Sequence, residues 1–295
     1  MVEPITNLLS IDVEDYFHVS AFENVSPVET WAGRTSRVEG NTDLILALLA
    51  ARGVKATFFV LGWVAEHYPD IPRRIVEQGH EIASHGYNHQ RVCTQNRQSF
   101  HEDVRASKSL LEDLTGMPVY GYRAPSYSIS KDTEWAFDEL LEAGYRYDSS
   151  IFPVKHDFYG ISDWPRFSGY AVKGEDGEWL SADTPAIERP CLRELPITTI
   201  EIFGHNLPIA GGGYFRLLPY SITKWGLRRI NLRDQKPFVF YLHPWEFDPQ
   251  QPRMENISKK SKIRHYLNLD KTEKRFTDLL DDFEFTPIYQ GLCAS

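Results

Sequence analysis

Carboxylates and histidines gather in two short segments of this sequence that could hold a metal ion. Residues 12–15 include three carboxylates in four positions, and their repulsion calls for a compensating positive charge such as a metal ion. Residues 85–89 begin and end with histidine, and such a spacing would place both imidazoles on one face of a helical turn. Two imidazoles and one carboxylate leave coordination positions open, which is typical of a catalytic metal site.

The carboxylate that would complete this site is either Glu14 or Asp15. Side chains alternate between the two faces of a strand, so Asp12 and Glu14 would share one face and Asp15 would point to the other. A kink at the end of the strand would instead bring Asp15 beside Asp12. The non-functional alternatives are a solvated acidic turn and a pair of surface histidines.

Three further strand ends each carry one ionisable residue. Arg123 directly follows a predicted strand, Asp148 ends one, and His243 lies two residues after the end of one. Singly they have ordinary explanations, namely a surface ion pair, a turn residue and a core histidine. Functional groups of parallel sheets collect at the carboxyl ends of the strands. The five charged strand ends together therefore favour one common site.

The elements that must position these residues alternate between strand and helix in the first half of the chain. Strands are predicted at 5–11, 55–61, 80–84, 119–122 and 145–148. Helices are predicted at 41–51, 71–78, 98–115 and 133–143. This alternation predicts βαβ units and a parallel sheet, hence an α/β fold.

The second half of the chain has a less regular pattern. Residues 152–210 are rich in Pro, Gly, Trp and Asp, and we expect loops and short strands inserted in the same domain. Further elements are predicted as helices at 219–231 and 272–283 and strands at 237–241 and 285–289. We therefore expect a single catalytic domain over residues 1–295.

Composition excludes several classes of function. The 295 residues include 41 acidic and 32 basic side chains, a net charge of −9, which disfavours generic binding to nucleic acid or anionic membranes. No apolar run reaches the ~18 residues needed for a transmembrane segment, and we find no signal peptide. Cys93, Cys191 and Cys293 lack the spacing of a disulfide framework or a cysteine zinc site. We expect a cytoplasmic protein.

Five motifs in order resemble those of the polysaccharide deacetylases of carbohydrate esterase family 4. They are IDVED, SHGYNH, RAPS, YDSS and FYLH, and they extend from Asp12 to His243. The resemblance implies a distorted (β/α)7 barrel that removes N-acetyl groups from sugars with a divalent metal, often Zn²⁺. The segments DVEDYFHV, GGGYFR and HPWEFD look more like a bacterial branch associated with exopolysaccharide gene clusters.

The resemblance implies roles for the base and the metal ligands. Asp12 matches the catalytic base, and Arg123 resembles the arginine that orients it. His85 and His89 match the two metal histidines, and the third ligand matches the acidic residue after the base. The usual first motif of the family has two adjacent aspartates, whereas Val13 intervenes here, so Glu14 and Asp15 both remain candidates.

The resemblance also implies an acid for the second half of the reaction. His243 matches the catalytic histidine that acts as general acid, and Asp148 is similar to the acidic residue that tunes it. The tryptophan usual in the fourth motif of the family is absent here, so the wall of the pocket is expected to differ.

Five residues are predicted to contact the substrate. Tyr127, Tyr214 and Trp245 could stack on sugar faces, although packing is the more common role of such rings. Pro125 and Ser126 belong to a turn in which a backbone N–H could hold an oxyanion. The basic segment 253–265 could contact the phosphate of a lipid-linked glycan at the inner membrane, and a solvated surface is the alternative.

These features predict a metal-dependent hydrolase that removes N-acetyl groups from an amino-sugar-containing glycan. Its place would be the biosynthesis of a bacterial exopolysaccharide or cell-surface polysaccharide. One alternative is an amide hydrolase of the same fold acting on a small cyclic amide or ureide, but the presence of both His85 and His89 weighs against it. The other is a non-catalytic carbohydrate-binding relative, which would have no need of the acid–base pair Asp12 and His243.

Overall fold

The computed structural model describes residues 5–155 and 160–293. The strands are β1 (Asn7–Val13), β2 (Thr57–Val60), β3 (Glu81–Ser84), β4 (Gly121–Tyr122), β5 (Tyr147–Asp148), β6 (Gly169–Lys173), β7 (Trp179–Ala182), β8 (Cys191–Glu194), β9 (Thr199–Ile202), β10 (His205–Pro208), β11 (Val239–Leu242) and β12 (Phe285–Thr286). The helices are α1 (Val38–Ala50), α2 (Gly62–His67), α3 (Asp70–Glu77), α4 (Arg97–Thr115), α5 (Ala136–Glu142), α6 (Gly212–Leu217), α7 (Tyr220–Arg229), α8 (Lys259–Tyr266), α9 (Thr272–Asp282) and α10 (Ile288–Cys293).

Seven parallel strands form the centre of the molecule. Their order in the sheet is β11-β1-β2-β3-β4-β5-β8. Within the described residues no ladder joins β8 to β11; an isolated bridge instead pairs Tyr241 of β11 with Gly211, which follows β10. The predicted α/β fold is confirmed, and the open seam gives the (β/α)7 barrel its distortion.

The sheet forms because its central strands are apolar on both faces. Every residue of β1 and β2 is buried, and Leu9, Ile11 and Phe58 are fully enclosed. Strands covered on both sides are typical of parallel sheets, whose crossover helices pack against them. The one polar pair within this wall that matters for the site is Ser10 and Asp12, at the carboxyl half of β1.

The predicted irregular insertion contains the short strands β6 to β10. β6 pairs with β7 and with β8, which extends the sheet beyond its parallel part, and β9 and β10 form a separate hairpin. Part of the predicted insertion, residues 156–159, lies outside the described residues. We retain a single domain over residues 1–295 as a prediction, which the pairing of β1 with β11 and β12 supports.

One predicted boundary is corrected. The strand expected at 285–289 ends at Thr286, because Pro287 lacks the N–H that would continue the ladder, and α10 begins directly after this proline. The lysine and arginine side chains of segment 253–265 are exposed, and more than half of the segment lies in α8, whose first turn is capped by the Ser258 side chain. Among the described residues, no helix combines the length and apolar character that crossing a membrane requires.

Candidate metal centre and active site

Glu14, His85 and His89 converge at the carboxyl ends of β1 and β3. One ligand atom from each lies within 4.8 Å of those of the other two, and all three residues are buried. The histidines meet through a bend rather than the expected helical turn, since Gly86 and His89 both have positive φ, at 74° and 50°. Glycine adopts this conformation freely, whereas the same conformation at His89 is uncommon for a side-chain-bearing residue.

The chemistry of these donors fits a divalent cation. Glu14 Oε2 lies 2.9 Å from His89 Nε2, yet within the described residues it accepts no well-directed hydrogen bond. His85 Nδ1 lies 2.9 Å from the Arg123 carbonyl, which can only accept, so Nδ1 carries the proton and Nε2 keeps its lone pair. A carbonyl that fixes the tautomer in this way is usual behind a metal-binding histidine.

The electrostatics of the cluster favour the protonation states that bind metal. Burial opposes the charge of Glu14, but His89, His243 and His85 outweigh it and hold the pKa of Glu14 well below its usual value. Burial lowers the pKa of His85 to about 4, so its imidazole is neutral near neutral pH. An ionised carboxylate and a neutral imidazole are the forms that ligate a cation.

Asp15 is not part of this cluster, which corrects one of the two alternatives for the third ligand. Its Oδ2 accepts hydrogen bonds from the backbone N–H of Arg37 (2.6 Å) and Val38 (3.0 Å) and from the Ser36 hydroxyl (2.8 Å). Its Oδ1 accepts the Tyr16 N–H at 2.8 Å. Because side chains alternate along the strand, Asp15 points away from Glu14 and caps the start of α1.

Asp12 and Arg123 form a buried ion pair beside the cluster. Arg123 Nη1 donates to Asp12 Oδ1 at 2.6 Å and to Ser10 Oγ at 2.8 Å, and its Nε and Nη2 donate to Ser149 O and Oγ. Asp12 Oδ2 accepts the Tyr127 hydroxyl at 3.3 Å. The arginine therefore fixes one carboxylate oxygen and leaves the other facing the pocket.

His243 faces both carboxylates from β11. Its Nε2 lies 3.9 Å from Asp12 Oδ2 and 3.5 Å from Glu14 Oε1, and its Nδ1 lies 2.7 Å from Glu246 Oε1. Burial lowers the pKa of His243, but Glu14 and Glu246 outweigh burial and raise it to about 9. Glu246 is itself held by Arg216, whose Nε donates to Oε2 at 2.5 Å.

The predicted partner of His243, Asp148, lies elsewhere. Within the described residues, the Nδ1 of His243 faces Glu246 instead, at 2.7 Å. Asp148 pairs with Glu194, its register partner on β8, and accepts hydrogen bonds from Ser150 N and Oγ. Glu246 takes the position expected of Asp148. Its sequence position, three residues after His243 in a turn that begins with proline, is the pattern that could have revealed it.

A cavity of about 180 Å³ opens onto these groups. Its lining includes the three candidate metal ligands, Asp12 and His243. The other lining residues are Val19, Ser20, Ser126, Tyr127, Phe152, Tyr241 and Trp245. Three of the five predicted substrate contacts thus reach the cavity. Tyr241 was missed, although it lies two residues before His243 and so on the same face of β11.

The other predicted contacts lie away from this cavity or are already engaged. Pro125 is buried and does not line the cavity, and Tyr214 lines a neighbouring one. Trp245 is enclosed by His243 and His265, at ring distances of 5.1 and 4.2 Å, and its Nε1 donates to Glu14 Oε1. The indole therefore orients a candidate ligand rather than offering a free face to a sugar.

Two segments of the chain match known families. Residues 31–147 match a family described as polysaccharide deacetylase, and residues 149–292 match a domain of unknown function (DUF3473). A peptidoglycan deacetylase of Helicobacter pylori is 27% identical over 161 residues, covering 54% of this chain and 50% of that protein. A peptidoglycan-N-acetylglucosamine deacetylase of Bacillus cereus is 33% identical over 99 residues, covering 33% of this chain and 36% of that protein.

The fold also has a counterpart among solved structures. A Mycobacterium smegmatis protein assigned to the polysaccharide deacetylases superposes with a TM-score of 0.58 at 17% identity, covering 98% of this chain and 93% of that one. At 17% sequence identity, this similarity shows a shared fold and no more. The chain spans about half of the Helicobacter relative and a third of the Bacillus relative.

Proposed function

We propose that the chain is a polysaccharide deacetylase of carbohydrate esterase family 4, a metal-dependent hydrolase of N-acetyl groups on an amino-sugar-containing glycan; the match of residues 31–147 to the polysaccharide deacetylase family supports this. One observation carries this proposal. Glu14, His85 and His89 present ligand atoms within 4.8 Å of one another, directly beside a buried carboxylate and a histidine able to act as base and acid.

Glu14, His85 and His89 would hold the metal ion. A divalent ion there supplies Lewis-acid polarisation of the acetyl carbonyl. Zn²⁺ is our first expectation, although sets of two histidines and a carboxylate accept several ions. Trp245 Nε1 and the Arg123 carbonyl orient Glu14 and His85, respectively, from behind.

Asp12 and His243 divide the proton transfers between them. Oδ2 of Asp12 accepts a proton from the attacking water, while the hydrogen bond from Arg123 keeps Oδ1 in place. His243 Nε2 then gives a proton to the leaving amine, and Glu246 at Nδ1 stabilises the imidazolium. Water adds to the carbonyl and the C–N bond breaks, so acetate and a free amino sugar leave.

The turn after Arg123 offers one backbone donor for the oxyanion. Pro125 has no N–H, and the Tyr127 N–H is bonded to the Ala124 carbonyl. Ser126 therefore retains the free N–H of this turn within the described residues, and its φ of 54° is a costly conformation that often marks functional positions. We assign oxyanion stabilisation to this N–H.

The biological setting follows from the motifs rather than from the geometry. We place the reaction in the biosynthesis of a bacterial exopolysaccharide or cell-surface polysaccharide. The substrate is an N-acetylated glycan, and a lipid-linked form and a cytoplasmic location stay predictions.

Acetate release tests the proposal. The zinc-loaded protein should release acetate from N-acetylglucosamine oligomers, and Asp12→Asn and His243→Ala should each reduce the rate at least 100-fold, the order expected for loss of acid–base catalysis. Asp15→Asn is the matched control, because it makes the same chemical change three residues away in a helix cap, and it should retain the rate. Near-normal turnover by Asp12→Asn would contradict the assignment. Hydrolysis of small cyclic amides without acetate release would favour the alternative amide hydrolase.

A further inference from the structure

A second cavity lies against the catalytic pocket and shares a wall with it. Its volume is about 280 Å³, and its lining residues are Gly213, Tyr214, Leu217, Tyr241, Ile263, Arg264 and Leu267. Tyr241 lines both cavities. On the catalytic side its ring centroid lies 5.6 Å from that of His243. A molecule in the second cavity would therefore lie one aromatic ring away from the reacting group.

Glycines bring α6 into direct contact with this shared ring. Gly211 and Gly212 have φ of 125° and 51°, and a Cβ built at Gly212 would lie 2.5 Å from Tyr241 Oη. Only glycine allows the chain to pass this close. The next residue, Gly213, has no atom nearer than 3.9 Å to its Cβ position, so it opens towards the cavity.

The lining combines aromatic and aliphatic side chains with one positively charged side chain. Tyr214 is half-buried, and Leu217 and Ile263 leave 57% and 64% of their surface exposed around it. Arg264 stands beside Ile263 on α8. Sugars bind proteins through their apolar C–H face and their polar substituents together, so an aromatic and aliphatic surface next to one charged group suits a substituted sugar.

The cations of α8 have no partners in the described part of the chain. Lys259, Lys260, Lys262 and Arg264 form no ion pair there, whereas arginines such as Arg37 and Arg216 do. This is a local excess of positive charge on a chain whose net charge is −9. Helical spacing places Lys260 on the same face of α8 as Ile263 and Arg264, one turn before Arg264, although Lys260 does not itself line the cavity.

We propose that this second cavity is a subsite for a neighbouring sugar that carries a carboxylate. Arg264, aided by Lys260, binds the carboxylate, and Tyr214 packs against the ring. This inference rests on the proposed function, because the neighbouring sugar would belong to the same glycan whose N-acetyl group enters the catalytic pocket. It identifies the substrate as an acidic glycan rather than a neutral polymer of N-acetylglucosamine.

Binding calorimetry with two oligosaccharides tests the subsite without requiring turnover. Hyaluronan hexasaccharide alternates N-acetylglucosamine with glucuronate, and hexa-N-acetylchitohexaose is the neutral probe of equal length. The wild-type protein should bind the acidic probe at least tenfold more tightly. Arg264→Ala should weaken the acidic probe by about tenfold, the value of one charge-assisted hydrogen bond, and leave the neutral probe unchanged.

Lys262→Ala is the matched control on the same helix. Two residues correspond to about 200° around an α-helix, so Lys262 points away from the cavity that Arg264 lines, and its loss should leave both affinities unchanged. An equal loss of affinity for the acidic probe in Lys262→Ala and Arg264→Ala would mean that the basic surface attracts the probe non-specifically, and it would overturn the subsite. Equal affinity of the wild type for both probes would also overturn it.

The alternative is that this basic surface binds a membrane. A vesicle-binding experiment distinguishes membrane binding from binding of an acidic sugar. Sedimentation with phosphatidylglycerol vesicles should not depend on Arg264. If Arg264→Ala loses vesicle binding while its affinity for hyaluronan hexasaccharide is unchanged, the surface binds lipid and the proposal is wrong. Failure of the proposed function is distinguishable, because absent acetate release with the expected binding pattern would leave the subsite standing.

Discussion

At the residue scale, the position of His243 depends on the buried carboxylate of Glu246. Glu246 lies 2.7 Å from Nδ1 of His243 and bridges it to Arg216. A carboxylate behind an imidazole fixes the tautomer and stabilises the charged form, which a general acid needs. For the proposed reaction we therefore assign Glu246 as a positioning residue, in the place that the family resemblance gave to Asp148.

Replacing Glu246 by glutamine tests this role. Glutamine keeps the size of the side chain but removes the charge that stabilises the imidazolium, so we expect kcat for acetate release to fall about 10- to 100-fold. Asp248→Asn is the control within the same turn, since Asp248 pairs with the partly exposed Arg37, and its kcat should change little. Wild-type turnover by a folded Glu246→Gln protein would contradict the assignment.

Asp148 and Glu194 supply a pH-dependent contribution to stability. Both are fully buried, and burial raises the pKa of Asp148 to about 6 and that of Glu194 well above its usual value, so the pair shares a proton. A carboxyl whose pKa rises on folding stabilises the fold below its unfolded pKa and loses that contribution as pH rises through the folded pKa. The free energy of unfolding should therefore decline above the unfolded value of 3.8 through about pH 6 because of this pair.

Glu194→Gln isolates that contribution. The neutral amide replaces the protonated carboxyl, so the decline in the free energy of urea unfolding between pH 5 and pH 8, a window about the Asp148 pKa, should be shallower than in the wild type. Glu201→Gln, on the exposed face of β9, is the control and should follow the wild-type curve. Parallel curves for wild type and Glu194→Gln would show that the pair holds no shared proton.

At the scale of elements, the carboxyl ends of the strands bring the chemistry together. β1 supplies Asp12 and, one residue beyond its end, Glu14, and β3 and β11 are each followed directly by a histidine. The parallel register makes these ends neighbours, because β1 lies between β11 and β2 and β2 lies beside β3. Asp15 serves an element instead of the site, since it joins the end of β1 to the start of α1.

Asp15→Ala should destabilise the fold and spare the metal centre. Asp15 accepts four hydrogen bonds, three of them at the start of α1, and their loss should cost on the order of 2–4 kcal/mol of unfolding free energy. Asp43→Ala, on the exposed side of α1, removes a partly exposed ion pair and should cost less than about 1 kcal/mol. Urea unfolding measures both. Loss of metal with unchanged stability in Asp15→Ala would contradict the cap and restore Asp15 as a ligand.

The elements of the first half could be predicted from the sequence because apolar periodicity and glycine stops mark them. The predicted strands at 55–61 and 80–84 contain β2 and β3, and the helix at 98–115 matches α4 to within one residue. Contacts between distant residues could not be predicted. The cap of α1 comes from a residue 22 positions before Arg37, and no local pattern connects them.

At the scale of the whole molecule, the two segments that match known families contribute to one sheet together with β1, which precedes both of them. β2 to β4 lie in the first segment, β8 and β11 lie in the second, and β11 pairs directly with β1. Among the proposed metal ligands, Glu14 precedes the first segment and the two histidines lie in it, whereas His243 and Glu246 lie in the second. The sequence could reveal His243 because it follows a clear apolar strand. It could not reveal Glu194 or Arg216, because their partners come from distant elements.

The basic surface of α8 is also a property of the whole molecule. Its cations stand beside a cavity only because α6, drawn close by glycines, and α8 meet next to β11. From the sequence alone, the same residues are typical of a solvated stretch. The difference arises from packing between segments almost 50 residues apart, which local patterns do not encode.

The most direct test of the central claim is the metal content per folded chain, measured by mass spectrometry after zinc is offered. We predict about one ion per chain in the wild type and in Asp15→Asn, and none in Glu14→Ala or in the double variant His85→Ala/His89→Ala. A folded wild-type protein that binds no metal would contradict the proposed metal centre. Metal that persists in Glu14→Ala but is lost from Asp15→Asn would contradict the ligand set.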